Sequence, residues 1–146
     1  MAKNNWLGVL LRKVSLETDK LANHLSEPLG LSFAQMRFLW FLYDTQGEVV
    51  CQVDLERAFS MTNPSVTSVL RTLEKKELVR RKVNPDDGRS KTVMLTETAL
   101  AIQPQLNEVR EALEERITCN LSEHEQSELY ALLLKILEKQ SKGGNN

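Results

Sequence analysis

Apolar residues recur at three- and four-residue intervals along most of the chain. The pattern changes once, between residues 78 and 95, where two short apolar runs flank a polar turn. Leu7, Leu10, Leu11, Val14, Leu21 and Leu25 predict a helix over residues 5–26. SEPLG stops it, because Pro28 disfavours a helical residue before it. Ser32 followed by Gln35 has the spacing of a capping box and starts a second helix, SFAQMRFLWFLYD. This helix is apolar on most sides, so its aromatic residues read chiefly as core. Residues 44–49 are a loop, and residues 51–59 a short helix with Val53 or Leu55 facing inward and Phe59 anchoring its end. SMTNPS turns the chain. Thr62 caps the next helix, and Pro64 fits its first turn, where an amide has no helical partner.

That helix has two contrasting faces. Val66, Val69, Leu70 and Leu73 make one apolar stripe. The other face carries Asn63, Ser65, Thr67, Ser68, Arg71, Thr72 and Lys75, mostly short polar side chains with almost no acid. Short side chains let a helix approach a rigid surface closely, and a helix start favours phosphate through its open amides. Two helices joined by a tight turn, the second of this kind, suggest a helix-turn-helix entering a DNA major groove. A plain helical hairpin is the alternative.

Leu78, Val79 and Val83 predict a strand that also contains Arg80, Arg81 and Lys82; residues 92–95 predict its partner. NPDDGRSK joins them as a hairpin, with Arg89 at its tip and Lys91 behind. An arginine on a narrow hairpin suits a minor groove, and Asp86 or Asp87 can orient its guanidinium. Arg80, Arg81, Lys82 and Lys91 are expected to favour the phosphate backbone. The plainer reading of Arg89 is a solvated turn residue.

Thr96 caps a long helix over residues 97–119, which Pro104 can bend. Ser122 and Glu125 form another capping box before a last helix bearing Leu129, Leu132, Leu133, Ile136 and Leu137. GGNN at the end reads as frayed. The outer helices are too apolar for a small central unit to cover, so a second copy is the expected partner. A two-fold dimer would also match two DNA half-sites.

Composition is globular, with 41% hydrophobic and 27% charged residues among 146, and a net charge of -1. The charge is unevenly placed. Residues 51–95 hold nine basic and six acidic side chains, a net +3, whereas residues 96–146 hold five and nine, a net -4. The middle is therefore the part suited to an anion. No stretch is apolar enough to span a membrane, and the interrupted start does not resemble a secretory leader, so a cytoplasmic protein is expected. No phosphate loop, paired-histidine zinc helix or nucleophile elbow is found, which points away from an enzyme, and no cofactor is implied. Cys119, Glu123 and His124 make a poor metal set, since tetrahedral zinc needs a further ligand. Cys51, at a helix start, is a candidate redox switch or a small, partly buried side chain.

From Ser32 to Thr96, and in its helical flanks, the chain resembles the MarR family of winged helix-turn-helix regulators. TNPSVTSVLRTLEKKELVRRKVNPDDGRSKTVMLT, residues 62–96, carries the likeness. It is similar to that family's recognition helix, basic strand, acid-and-arginine wing and entry into the long helix. The resemblance implies a mainly α fold with a small β-hairpin wing. It also implies a division into a dimerisation helix (1–31), a DNA-binding domain (32–96) and C-terminal dimerisation helices (97–146). A homodimer on short palindromic double-stranded operators, usually a repressor, is implied in turn. Relief by oxidation or by a small amphipathic or phenolic effector is implied too, and Phe38, Trp40, Phe41 and Tyr43 are candidates to line its pocket. The chain departs from the family pattern at Glu56, where alanine is common, and at Ser60 and Ala99, where glycine is common. Glu56 is expected to face solvent or to pair with Arg57 or Arg71. The competing reading is a helical dimerisation or adaptor protein without specific DNA binding.

Overall fold

The computed structural model describes residues 6–83, 86 and 91–143. Among these residues, seven α-helices and one antiparallel hairpin follow in order: α1 (Leu7–Ser26), α2 (Phe33–Asp44), α3 (Gln52–Phe59), α4 (Asn63–Lys75), β1 (Val79–Val83), β2 (Lys91–Leu95), α5 (Glu97–Ala101), α6 (Gln103–Thr118) and α7 (Glu123–Gly143). A single 3-10 turn, Glu27–Leu29, links α1 to α2. Gly30 closes it at φ 66°, a left-handed conformation that costs glycine nothing.

Local signals set most of the boundaries. Ser32 and Gln35 form the reciprocal capping box at the start of α2. Ser122 and Glu125 do the same before α7, with N–H to oxygen distances of 2.9 and 3.1 Å. Thr62 and Thr96 cap α4 and α5 through their hydroxyls. One boundary differs from expectation. The helix predicted over residues 97–119 is two helices, broken at Ile102. Pro104 has no N–H to donate back to Leu100, so the chain ends α5 and begins α6 with the proline in its first turn.

α2 is the centre of the core. It packs against α1, α4, α6 and β2. Met36, Phe38 and Leu39 are fully buried there, together with Leu55 of α3 and Val66, Leu70 and Leu73 of α4. Leu55 is thus the inward residue of α3, while Val53 is exposed. Truncating such a leucine to alanine typically costs about 2–5 kcal/mol, so the face of α4 that meets the core is firmly held.

The aromatic residues of α2 belong to this core, as their apolar surroundings predict, with Phe38, Trp40 and Tyr43 buried and Phe41 partly so. Phe38 stacks on Phe59 of α3 at 5.2 Å, and Phe41 meets the same ring edge-on. Trp40 donates its indole N–H to the Leu106 carbonyl at 3.0 Å, and Tyr43 donates its hydroxyl to the Ala99 carbonyl. Burial pushes the Tyr43 phenol up to about 12. Buried aromatic residues with a polar tip take a partner when one is within reach, and here the partners lie on α5 and α6. Apolarity put these rings inside, and their hydrogen bonds fasten α2 to the helices after the wing.

The ends of the chain are different. Trp6, Leu7 and Leu10 are 76%, 72% and 56% exposed, and Val14 is also exposed. On α7, Leu129, Tyr130, Leu132 and Leu137 are exposed as well, and α7 makes only marginal contact with the rest of the chain. A helix of this kind depends on packing for most of its stability. Among the described residues, no helix is long and apolar enough to cross a membrane.

Candidate nucleic-acid interface

α3 and α4 form the helix-turn-helix, and β1 and β2 form the wing beside it. The connection between the two helices is a six-residue closure. Ser60 lies at φ 50°, and the Met61 N–H donates to the Glu56 carbonyl at 3.0 Å. α4 ends in the same way. Glu77 lies at φ 59°, its N–H donates to the Glu74 carbonyl, and the Leu78 N–H donates to the Leu73 carbonyl at 3.0 Å. This closure satisfies the terminal carbonyls of a helix and usually places glycine at the left-handed position. Here both positions carry side chains.

On the outer side of α4, Asn63, Ser65, Ser68, Arg71 and Lys75 are exposed. They form the open, low-acid face that the sequence predicts. Thr67 is only half-exposed, and its hydroxyl accepts from Gln52 Nε2 at 2.7 Å. This contact ties α4 to the start of α3.

The basic strand is divided by its pleat. Successive side chains of a strand point to opposite faces. Arg80 and Lys82 are exposed, as is Lys91 across the hairpin. Arg81 turns inward with Val79, and its side chain is only 11% exposed. Its Nε donates to Glu74 at 2.7 Å, and Nη1 donates to Gln52 Oε1 at 3.3 Å. Arg81 is therefore withdrawn from the expected phosphate-facing set. Thr67, Gln52, Arg81 and Glu74 instead make one polar chain that joins both helices to the wing. It also neutralises the one acid that α4 contributes beside its open face. Gln52 and Glu74 were not singled out in the sequence. Their roles depend on a contact between β1 and the helices, and no local spacing encodes that contact.

The base of the wing has a third strand-like segment. The Val93 N–H donates to the Val50 carbonyl at 2.8 Å, and Cys51 bridges Thr92. Cys51 is half-buried and precedes α3, where its N–H donates to the Asp54 carboxylate at 2.8 Å. Cys119 is exposed, and neither cysteine is in a disulfide. Among the described residues, no histidine, cysteine and carboxylate group is arranged to hold a metal; His124 pairs with Glu128. Asp86 is exposed. Asp87 and Arg89 lie outside the described residues.

The departure at Glu56 also has a partner. Its carboxylate accepts from Asn63 Nδ2 at 3.2 Å in an exposed contact; the expectation was a solvent-facing side chain or a pairing with Arg57 or Arg71. Ala99 is fully buried in an ordinary helical turn.

A family model described as the MarR family matches residues 29–90. The multiple antibiotic resistance protein MarR of Escherichia coli strain K12 is 32% identical over 132 residues, which is 90% of both chains. The chain belongs to the MarR family. An HTH-type transcriptional repressor of Mycobacterium tuberculosis is 28% identical, covering 89% of this chain and 92% of its own. Among solved structures, an S. aureus MepR–DNA complex superposes with a TM-score of 0.83 at 29% identity, covering 92% of this chain and 98% of that one. A cysteine-to-serine mutant of E. coli MarR bound to operator DNA gives 0.81 at 31% identity, covering 90% and 93%. Wild-type E. coli MarR in its apo form gives 0.72 at 30% identity, covering 93% and 99%. This MarR-family chain is thus a winged helix-turn-helix transcriptional regulator, mainly α with a hairpin wing, and the relatives it matches are regulators rather than enzymes.

Proposed function

We propose that the protein works as a homodimeric repressor on a palindromic double-stranded operator, with α4 reading bases in the major groove. The observation that carries this reading is the open face of α4. Asn63, Ser65, Ser68, Arg71 and Lys75 stand exposed on a helix whose other side is locked into the core, beside the exposed cations Arg80, Lys82 and Lys91. Short side chains fit close to base edges, and the cations suit phosphate.

Dimerisation belongs to the same reading. The exposed apolar residues of α1 and the nearly unpartnered α7 supply a surface that a second copy would bury. Two copies would present two α4 helices to two half-sites. Arg89, which the sequence puts in the hairpin turn, is assigned to the adjacent minor groove, with Asp86 or Asp87 orienting it. Regulation by a small aromatic effector, or by oxidation at Cys51, would act by changing the spacing of the two recognition helices.

The test is selection of bound sequences from random duplexes, followed by footprinting and a salt series. A two-fold protected site, bound about a thousandfold or more above random duplex, is the expected result. Equal affinity for all duplexes would leave a basic surface without sequence reading. No DNA binding would favour the dimerisation-protein alternative.

A further inference from the structure

Glu56 places a carboxylate at the entrance to the face that reads DNA, where an anion works against phosphate binding. Its local chemistry suggests why it is there. A carboxylate is an acceptor only, so the group of Asn63 that meets it must be the amide nitrogen. The contact therefore fixes which way the Asn63 amide is turned. Its Oδ1 and one remaining N–H stay available, and these are the two groups with which asparagine recognises adenine, accepting from N6 and donating to N7. Asn63 is the first residue of α4, and residues at that end of a recognition helix reach base edges. The position of Glu56 is itself well held, since its backbone carbonyl accepts the Met61 N–H in the turn between the helices.

We propose that Glu56 is a specificity-determining positioning residue: it pre-orients the Asn63 amide so that the pair selects an A·T base pair at one position of each half-site. This inference rests on the operator-reading function proposed above. The negative charge has a second effect in the same direction, because it lowers affinity for phosphate regardless of sequence. The pair thus trades strength on random DNA for discrimination on the operator.

The experiment begins with sequences selected by the parent protein. Each A·T pair of the half-site is then replaced in turn, and affinities are measured for the parent, Glu56→Ala, Glu56→Gln and Asn63→Ala. Glutamine can still accept from Asn63 through Oε1 but carries no charge, so it separates orientation from charge. At one position the parent should lose about tenfold on replacement, within the range of a good bidentate base contact. Glu56→Ala and Asn63→Ala should lose that preference while keeping those at other positions, and Glu56→Gln should retain it. In DNA-free protein, NMR should show the Asn63 side-chain N–H protons shifted in the parent and Glu56→Gln but not in Glu56→Ala. If Glu56→Ala keeps every base preference, or if Glu56→Gln loses the same preference as Glu56→Ala, the positioning role is overturned. A parent that selects no sequence overturns the regulator reading and this inference together, which distinguishes the two failures.

Discussion

Arg110 and Asp44 form a two-point ion pair between α6 and the end of α2, with Nη1–Oδ1 at 3.1 Å and Nη2–Oδ2 at 2.7 Å. The guanidinium also lies 5.6 Å from the centre of the Trp40 ring. The hydrogen bond from Arg110 holds the Asp44 carboxyl below its ordinary value of 3.8. A carboxyl lowered by folding contributes stability above its unfolded value and loses it as pH falls through its folded one. Acid should therefore weaken this contact only below about pH 4. Both side chains are about half exposed, so solvent screening keeps the effect small, about 1 kcal/mol or less. Thermal melts of the parent and Asp44→Asn at pH 7 and pH 3 check it: the gap between them should narrow in acid. A constant gap would mean that the pair adds nothing through charge.

Ser60 and Glu77 are held at positive φ at the ends of the two helices of the DNA-binding motif. A left-handed residue with a Cβ costs about 1–2 kcal/mol, and glycine removes this while adding some entropy to the unfolded chain. Ser60→Gly and Glu77→Gly should each stabilise the fold by up to about 1 kcal/mol, a rise of a few degrees in Tm. Denaturant and thermal unfolding would show the gain. A loss of stability in both would mean that the two side chains contribute more than their backbone strain.

Two arginines ten residues apart should fail in opposite ways. Arg71 is exposed on the reading face, so Arg71→Ala should leave stability within about 0.5 kcal/mol and weaken operator binding at least tenfold. If Arg71 meets phosphate, the salt slope should also fall by about one. Arg81→Ala leaves Glu74 and Gln52 without their shared donor and should cost about 1–3 kcal/mol in stability. Urea unfolding beside a binding titration separates them. Equal stability loss in both variants would contradict the assignment of Arg71 to the open face of α4 and of Arg81 to an internal tie.

The exposed leucines of α7 give a test of assembly. Leu132→Glu together with Leu137→Glu should convert a dimer in sedimentation at low micromolar concentration into a monomer, while the core around α2 keeps its fold. Operator affinity should drop by orders of magnitude, because one half-site cannot replace two. A parent that already sediments as a folded monomer and protects a full two-fold site would remove dimerisation from the mechanism.

Much of this arrangement was legible because its causes are local. The capping boxes at Ser32–Gln35 and Ser122–Glu125 depend on residues three apart, and the two faces of α4 follow from helical spacing alone. Arg81 could not be separated from Arg80 and Lys82 in this way. Three cations in a row look alike until the pleat and the contact with α3 decide which one turns inward. The aromatic residues of α2 were visibly apolar, but their assignment to a pocket came from resemblance, while their hydrogen bonds to Ala99 and Leu106 cross more than fifty residues. Glu56 stood out as a departure. Its partner was missed because Asn63 lies across a turn whose geometry depends on Ser60 in an unusual conformation.

The short pairing of Val50 and Cys51 with β2 bears on how the wing moves. A hairpin attached along one edge can swing like a door. Here β2 is flanked at its base by β1 on one side and by the residues leading into α3 on the other. The base of the wing and the helix pair are thereby braced together, and the distance between the contacts proposed for them would be set before any duplex arrives. On the operator proposed for this protein, that bracing works as a caliper. A base pair inserted between the stretch read by α4 and the flank touched by the wing would be rejected, because the two parts cannot slide apart to follow it.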